Sequence, residues 1–169
     1  MIKTFSGMTP TVEDGAWVAD NATVLGDAEI GAGSGIWFGA VVRADTTSIR
    51  IGRDTNVQDN CVLHADPGAP LSIGDRVSIG HLAVLHGCTV ESDVLIGMGA
   101  IVMNNARIGT GSLVAAGAVV LEGTDVPAGS LVAGVPGKVR RPLTDEELEQ
   151  VRTNALRYVD RARQHLESP

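Results

Sequence analysis

The sequence is poor in aromatic residues and in cysteine. Aromatic side chains make up 3% of its 169 residues, which predicts a core that is filled by something other than aromatic packing. The two cysteines, Cys61 and Cys88, form no CxxC pair. Two cysteines are too few for a disulfide framework, so we expect small buried thiols with no redox or ligand role.

Positive charge and long apolar runs are also scarce. The chain has 13 Lys and Arg against 20 Asp and Glu, a formal net charge of −7, and no basic cluster precedes Lys138–Arg141. Nucleic-acid-binding proteins carry a basic patch, so we expect no nucleic-acid partner. No apolar run approaches the ~18 residues that a membrane helix needs, and no charged-then-apolar signal opens the sequence. These absences predict a cytoplasmic protein with no membrane partner.

What is abundant is glycine, with 21 residues, and a six-residue repeat. Aliphatic residues recur every six positions in four runs, and a small residue follows many of them four positions later. The aliphatic positions are Val18, Val24, Ile30, Ile36, Val42, Ile51, Val57, Leu63, Ile73, Ile79, Leu85, Val90, Ile96, Val102, Ile108, Val114, Val120, Val126 and Val132. Neither a helix nor an ordinary hairpin strand repeats at six.

A period of six predicts an all-β solenoid. Each step is a short strand and a corner, so that three steps, ~18 residues, close one triangular coil whose inward residues stack at about 4.8 Å. The nineteen aliphatic positions give a little over six coils. This pattern resembles the hexapeptide-repeat family, and the resemblance implies a left-handed parallel β-helix.

The chain divides into two predicted parts. Residues 1–137 form the β-helix domain, and 138–169 form a linker and a C-terminal helix that packs on the solenoid. Thr144 and Glu147 make a capping box at the start of this helix. Its apolar stripe comprises Leu148, Val151, Ala155, Tyr158, Val159, Ala162 and Leu166. We expect His165 on the solvated face.

Three of the four histidines lie where the repeat is interrupted. Extra residues follow Val42 and Leu63, and one residue is missing after Leu85. His64 follows Leu63 and His86 follows Leu85, which is three steps further along the chain. Three steps complete a coil, so the two histidines occupy the same outward position on adjacent coils and can hold one metal ion.

The same count places two further groups of residues. Arg43 lies in the column of His64, one coil earlier, and Asp59 lies one coil below His81. His81 is on the preceding face, roughly 16 Å along an extended chain from His86. It cannot easily reach the same ion within one chain, but identical subunits packed around a threefold axis would bring His81 of one chain to the pair of the next. Three neutral imidazoles with an open position are the arrangement used for catalytic Zn2+. Outward histidines can also be plain surface residues, but the stacking favours a metal site.

The segments "VVRADTTSIRIGRDTNVQDNCVLH" and "IGHLAVLHGCTV" resemble the γ-class carbonic anhydrases, and the likeness covers essentially the whole chain. The resemblance implies a homotrimer with metal ions at its interfaces, each held by His64 and His86 of one chain and His81 of its neighbour. Zn2+ is the usual metal, and Fe2+ or Co2+ is a recognised alternative. The implied reaction is reversible hydration of CO2 to bicarbonate by metal-bound hydroxide.

The resemblance also implies roles for four other residues. Gln58 would position the metal-bound water. Arg43 and Asp45 would form ion pairs across the subunit interface, with Asp59 as a partner, because an arginine fork suits a carboxylate. A purely structural interface network is an alternative for Arg43, Asp45 and Asp59.

One departure from the family concerns proton transfer. Active members carry a glutamate after the R-x-D motif and another after the first histidine, whereas this sequence has Thr46 and the segment "ADPGAPLS". A hydroxyl cannot titrate near neutral pH as a carboxylate can. Asp66 would substitute only weakly, and Tyr158 fits a core residue better than a site residue.

Two other functions therefore stay open. One is a hexapeptide-repeat acyltransferase or acetyltransferase. The segment "AGVPGKVRR" of this chain resembles the C-terminal segment of such enzymes. Such enzymes use one histidine as general base and no metal. The other is a metal-binding homologue without carbonic anhydrase activity.

Overall fold

The protein, described by a computed structural model over residues 1–168, is a solenoid of about seven turns followed by one helix. Twenty strands, most of them two to four residues long, precede the helix. They are β1 (Ile2–Lys3), β2 (Thr11–Val12), β3 (Trp17–Val18), β4 (Thr23–Ile30), β5 (Gly35–Ile36), β6 (Val41–Ile51), β7 (Asn56–Val57), β8 (Val62–His64), β9 (Leu71–Ile73), β10 (Ser78–Ile79), β11 (Val84–His86), β12 (Thr89–Val90), β13 (Leu95–Ile96), β14 (Ile101–Val102), β15 (Arg107–Ile108), β16 (Leu113–Val114), β17 (Val119–Val120), β18 (Asp125–Val126), β19 (Ser130–Ala133) and β20 (Lys138–Pro142).

Strands of successive coils pair in parallel and stack into flat faces. One sheet runs β17-β14-β11-β8-β6-β9-β12-β15-β18 and covers two faces, because the long strands β4 and β6 bend around the corner between them. The third face is the sheet β20-β19-β16-β13-β10-β7-β5-β3. This is the architecture of the left-handed β-helix predicted from the repeat. The solenoid has about seven turns, whereas the repeat predicts a little over six. The additional turn comes from β1 and β2, which pair with β4 although the six-residue repeat does not extend to them.

The repeat positions form the core, as predicted. Every aliphatic position is buried except Val18, which is partly buried against the core. Both thiols are buried, as expected, and burial raises the pKa of Cys61 to about 11 and that of Cys88 to about 12. Within residues 1–168 the continuous core contains no aromatic side chain, because the narrow prism admits only aliphatic and small residues, and the buried Trp37 lies outside it.

The C-terminal segment adds an antiparallel strand and a helix. β20 lies within the predicted linker and pairs antiparallel with β19. Helix α1 (Asp145–Glu167) begins with the predicted capping box of Thr144 and Glu147. The helix contacts β3, β5, β7 and β10 of the third face. Within residues 1–168, no helix is long and apolar enough to cross a membrane.

An aromatic cluster lies where the end of α1 meets the first coils. Trp17 and Trp37 are edge to face at 5.0 Å, and Trp37 meets Tyr158 at 5.3 Å. His165 is solvent-exposed, as expected, and one face of its ring stacks on Trp17 at 4.5 Å with an interplanar angle of 18°. The predicted apolar stripe ends too late, since Leu166 is 50% exposed.

Candidate metal centre

Strand register brings His64 and His86 together. In the parallel pairs β6–β8 and β8–β11, Arg43 lies opposite His64 and His64 lies opposite His86. This is the column that the count of six-residue steps predicts. The inward neighbours of the two histidines, Leu63 and Leu85, are fully buried and anchor the strands at this level.

The two imidazoles face each other through one nitrogen each. Nδ1 of His64 lies 2.9 Å from Nε2 of His86, and the rings meet at 62°. The opposite nitrogens are held by oxygen atoms. Nε2 of His64 is 3.1 Å from Oδ1 of Asp45, and Nδ1 of His86 is 2.6 Å from Oδ1 of Asn104.

These contacts fit a divalent metal ion. An oxygen acceptor beside one ring nitrogen holds the proton there, so the other nitrogen of a neutral imidazole presents its lone pair. In His64 and His86 the lone-pair nitrogens then point at each other, and a cation between them relieves the repulsion. Two nitrogens bound to one Zn²⁺ are about 3.4 Å apart, so a sub-ångström opening of the 2.9 Å pair admits the ion.

Asp45 ties His64 to Arg43. Nη1 of Arg43 donates to both carboxylate oxygens of Asp45, at 3.0 and 2.7 Å. Desolvation alone would raise the pKa of Asp45, but hydrogen bonds from Arg43 and His64 outweigh it and hold that pKa below its usual range. The hydroxyl of Thr46 also donates to Asp45, at 3.3 Å. Asp45 therefore remains a carboxylate that accepts the Nε2 proton of His64.

The segment that carries Asp45 projects because of a bulge. Gly26 pairs with Ala44 and Ala28 pairs with Ile49, so the four residues 45–48 stand opposite the single residue Asp27. Three of the four are extra, as predicted from the interrupted repeat. The surplus residues lie at the corner beside His64, which is where Asp45 is needed.

Asn104 and its contacts are the main features that sequence analysis missed. Its Nδ2 donates to Oδ2 of Asp66 at 3.0 Å, so one carboxamide connects His86 to Asp66. A side chain on Gly87 would prevent this arrangement, since its Cβ would lie 2.8 Å from the carbonyl oxygen of Ala69 and closer still to Oδ1 of Asn104. The glycine that follows His86 is thus part of the site.

His81 lies on another face of the same protomer. It follows β10 of the third face, whereas β8 and β11 carry the other two histidines. Nδ1 of His81 lies 2.8 Å from a carboxylate oxygen of Asp59, one coil below it, as the count predicts. Each of the three histidines therefore has one nitrogen on an oxygen acceptor. The other nitrogens of His64 and His86 face each other, and that of His81 has no oxygen acceptor within residues 1–168.

Gln58 and Tyr158 accompany His81. The three residues line a cavity of about 360 Å³ between the third face and α1, together with Met98 and Asn154. The carboxamide oxygen of Asn154 is buried and has no hydrogen-bond partner within residues 1–168. Desolvation raises the pKa of Tyr158. Tyr158, expected in the core, thus also borders the cavity beside His81.

The repeats match the family model described as "Bacterial transferase hexapeptide (six repeats)" over residues 9–44 and 87–122. The unmatched segment 45–86 contains the longer interruptions of the repeat and His64, His81 and His86. The departures from the plain repeat and the candidate centre thus fall in the same part of the chain.

Named proteins align with nearly the whole chain. A Methanocaldococcus jannaschii protein named "Probable carbonic anhydrase" is 51% identical over 142 residues, 84% of this chain and 89% of that protein. "Gamma carbonic anhydrase 2, mitochondrial" of Arabidopsis thaliana is 41% identical over 163 residues, 93% of this chain and 59% of that protein. The crystal structure of a hexapeptide transferase family protein from Anaplasma phagocytophilum has a TM-score of 0.93 at 39% identity, covering 96% of each chain.

Proposed function

Since this chain belongs to the γ-class carbonic anhydrase-like family of hexapeptide-repeat proteins, we propose that it is a metal-dependent carbonic anhydrase that interconverts CO2 and bicarbonate. The observation that carries the proposal is the common arrangement of its three histidines. His64, His86 and His81 each have one ring nitrogen on an oxygen acceptor and the other available as a ligand.

The metal would be held by nitrogen atoms of two subunits. His64 and His86 of one protomer supply two ligands, and His81 of a neighbouring protomer supplies the third. Three imidazoles suit Zn2+, and they also accept Fe2+ or Co2+. When bound, the metal supplies the Lewis acidity that makes water a nucleophile at neutral pH.

The chain's own residues fix the histidines. Asp45 and Asn104 hold protons on the outer nitrogens of His64 and His86, so the inner nitrogens keep their lone pairs. Asp59 does the same for His81. Such outer contacts set ring orientation and raise ligand basicity.

We assign the orientation of the nucleophilic water to Gln58. This residue is 4% exposed, and its Nε2 donates to Oδ1 of Asn56 at 2.9 Å. Asn56 donates in turn to Oγ of Ser78 at 2.9 Å, so the whole amide chain is fixed. Because Nε2 is engaged, Oε1 of Gln58 is the atom that accepts a hydrogen bond from the water. This hydrogen bond directs the lone pair of the water oxygen at CO2.

A homotrimer brings the two halves of the site together. Outward aliphatic residues at Val62, Val84 and Ile101 form a row across β8 and β11, which carry His64 and His86, and the next strand β14. Val62 and Ile101 are 40% and 37% exposed, and Leu82 and Met98 near His81 are 63% and 59% exposed. Neighbouring apolar residues at this exposure are typical of a subunit interface.

Arg43 would complete the interface. Its side chain is 45% exposed and uses only Nη1 on Asp45, which leaves the three N–H groups of Nε and Nη2 for other acceptors. We propose that these groups reach Asp59 of the neighbouring subunit. Arg43 would then connect Asp45, the acceptor of His64, to Asp59, the acceptor of His81 in the neighbouring subunit.

Proton export limits this enzyme in our proposal. Each hydration releases a proton, and Thr46 cannot carry it as a carboxylate does, because a hydroxyl does not titrate near neutral pH. We expect turnover that depends on external buffer.

The test is metal content per chain of untagged protein, followed by stopped-flow CO2 hydration on the same sample. About one divalent ion per chain with measurable hydration supports the proposal. One ion without hydration indicates a binding protein that has lost the activity. No metal at all refutes the proposal and favours an acyltransferase.

A further inference from the structure

Asp66 lies within reach of the His64–His86 pair in the same protomer. Donor atoms of the three residues lie within 4.8 Å of one another, and in the described part of the chain no other group of three histidines, cysteines or carboxylates meets this spacing. We propose that Asp66 is a metal ligand and that it lets a single protomer bind a divalent ion before a neighbour supplies His81. The inference rests on the proposed function.

Local backbone geometry directs Asp66 toward the pair. It follows His64 by two residues, and side chains two apart in an extended chain point to the same side. The backbone is fixed beyond this point, since the amide of Ala69 donates to the carbonyl oxygen of Asp66 at 3.0 Å. Asp66 thus sits at the start of a closed turn beside His64 and His86.

The carboxylate is held by one oxygen and free at the other. Nδ2 of Asn104 donates to Oδ2 of Asp66 at 3.0 Å, while Oδ1 of Asp66 has no hydrogen-bond partner within residues 1–168. The same Asn104 accepts from His86 at 2.6 Å. One carboxamide thereby orients both an imidazole and a carboxylate, which is a typical outer contact of a metal site.

The donor set explains why Asp66 matters before assembly. Two imidazoles alone are a two-ligand site, but two imidazoles and one carboxylate are the facial set that binds Fe²⁺ and leaves positions open. An open position is what His81 of a neighbour needs. Asp66 is also solvent-exposed, so it can meet the incoming ion first.

We expect the loading order to follow from this arrangement. The ion binds His64, Asp66 and His86 of one protomer, and His81 of the next protomer then joins it or replaces Asp66. A metal ion already in place would favour the correct docking of the neighbour, because binding free energy at a shared ion couples to assembly.

Co²⁺ tests the proposal, because its visible absorption reports ligand number without any assay of catalysis. The full-length apo protein is titrated with Co²⁺, with its oligomeric state measured in parallel, for wild type, His81→Ala, His81→Ala/Asp66→Asn and His81→Ala/Glu122→Gln. Glu122 lines the same cleft as Asp66 and His86 but lies outside the donor group. It is therefore the matched control for loss of one negative charge.

We expect His81→Ala to bind one Co²⁺ per chain. Adding Asp66→Asn should raise the Kd for Co²⁺ about tenfold or more, whereas adding Glu122→Gln should change that Kd by less than about threefold. Equal effects of the two added substitutions, or no effect of Asp66→Asn, would overturn the proposal. Loss of Co²⁺ from folded His81→Ala, with one ion per chain in wild type, would overturn it and leave the proposed function standing. No Co²⁺ in wild type would overturn both.

A second measurement keeps the inference testable if His81→Ala does not fold. Asp66→Asn in the otherwise wild-type chain should bind one Co²⁺ per chain at saturation, with an association rate about tenfold lower. An unchanged rate would contradict the loading role.

Discussion

Nδ1 of His81 lies 2.8 Å from a carboxylate oxygen of Asp59, across one coil of the solenoid. Asp45 makes the equivalent contact to His64, and Asn104 makes it to His86. The three histidines, which lie on two faces, thus share one feature. An oxygen acceptor fixes the orientation of each ring and the position of its proton. Histidines that serve only as surface polar residues would not need this common arrangement.

The acceptor of His81 should control metal affinity. Asp59→Ala removes the contact, so we expect metal affinity about 10–100-fold lower with the solenoid intact. Affinity is measured by competition with a chelator, and folding by circular dichroism. Asp125→Ala is the control, because Asp125 is a 73% exposed carboxylate that pairs with Arg107 away from the site. Equal losses in the two variants would contradict a specific role for Asp59.

Gly87 should be needed for both stability and metal binding. Its φ is +54°, so Gly87→Ala places a side chain in the left-handed region and against Ala69 and Asn104. We expect the apo protein to lose about 1–2 kcal/mol from the backbone conformation, with a further loss from the clash. Urea unfolding measures the stability, and Co²⁺ titration measures the affinity.

The control for Gly87→Ala is Gly117→Ala. Gly117 has φ of +67° and no neighbour within 4 Å of an added Cβ, so it tests the backbone cost alone. We expect Gly117→Ala to keep full metal affinity. If Gly87→Ala is no worse than Gly117→Ala in either property, the Gly87–Asn104–His86 packing does not support the site.

The two thiols should be inert in the native state. Burial raises the pKa of Cys61 to about 11 and that of Cys88 to about 12, so both stay protonated at pH 8, and only the thiolate is nucleophilic. A thiol reagent at pH 8 should label neither cysteine until denaturant is added. Because the pKa values are raised on folding, stability is full below the unfolded thiol pKa and falls as pH rises through the alkaline range.

Rapid labelling of native protein would contradict the burial of the thiols. The matched check is the same reaction in urea, where two thiols per chain should react.

Thr46 should limit proton export. Thr46→Glu adds a titratable group beside Asp45, so we expect hydration at low buffer to rise about tenfold, with little change at high buffer. Thr47→Glu adds the same charge one residue along and serves as the control. Stopped-flow rates across a buffer series separate the two cases. No gain from Thr46→Glu would place the slow step elsewhere.

Much of the architecture was predictable because a period of six has few structural solutions. The register that joins His64 to His86 followed from counting steps, since each inward aliphatic residue fixes the face of its neighbours. The small residues that fill the narrow prism were visible in the same way. These are regular features, and they are set by position along the chain.

The contacts around the candidate metal centre were harder to predict. Asn104 reaches His86 across a corner, two residues beyond the buried Val102, and its partner Asp66 lies in a loop outside the repeat. Side-chain direction at a corner does not follow from spacing. The contact between His165 and Trp17 was also not predictable from the sequence, because it depends on where the end of the helix lies over one of the few aromatic residues.

Subunit mixing tests the shared site most directly. A His86→Ala chain and a His81→Ala chain each lack a ligand at every interface, but a mixed trimer has interfaces where one chain supplies His64 and His86 and its neighbour supplies His81. We predict that trimers assembled from equal amounts recover CO2 hydration to about a quarter of the wild-type rate, because half of the chains can serve in each role. A rate no higher than the mean of the two separate variants would contradict a metal centre built from two subunits.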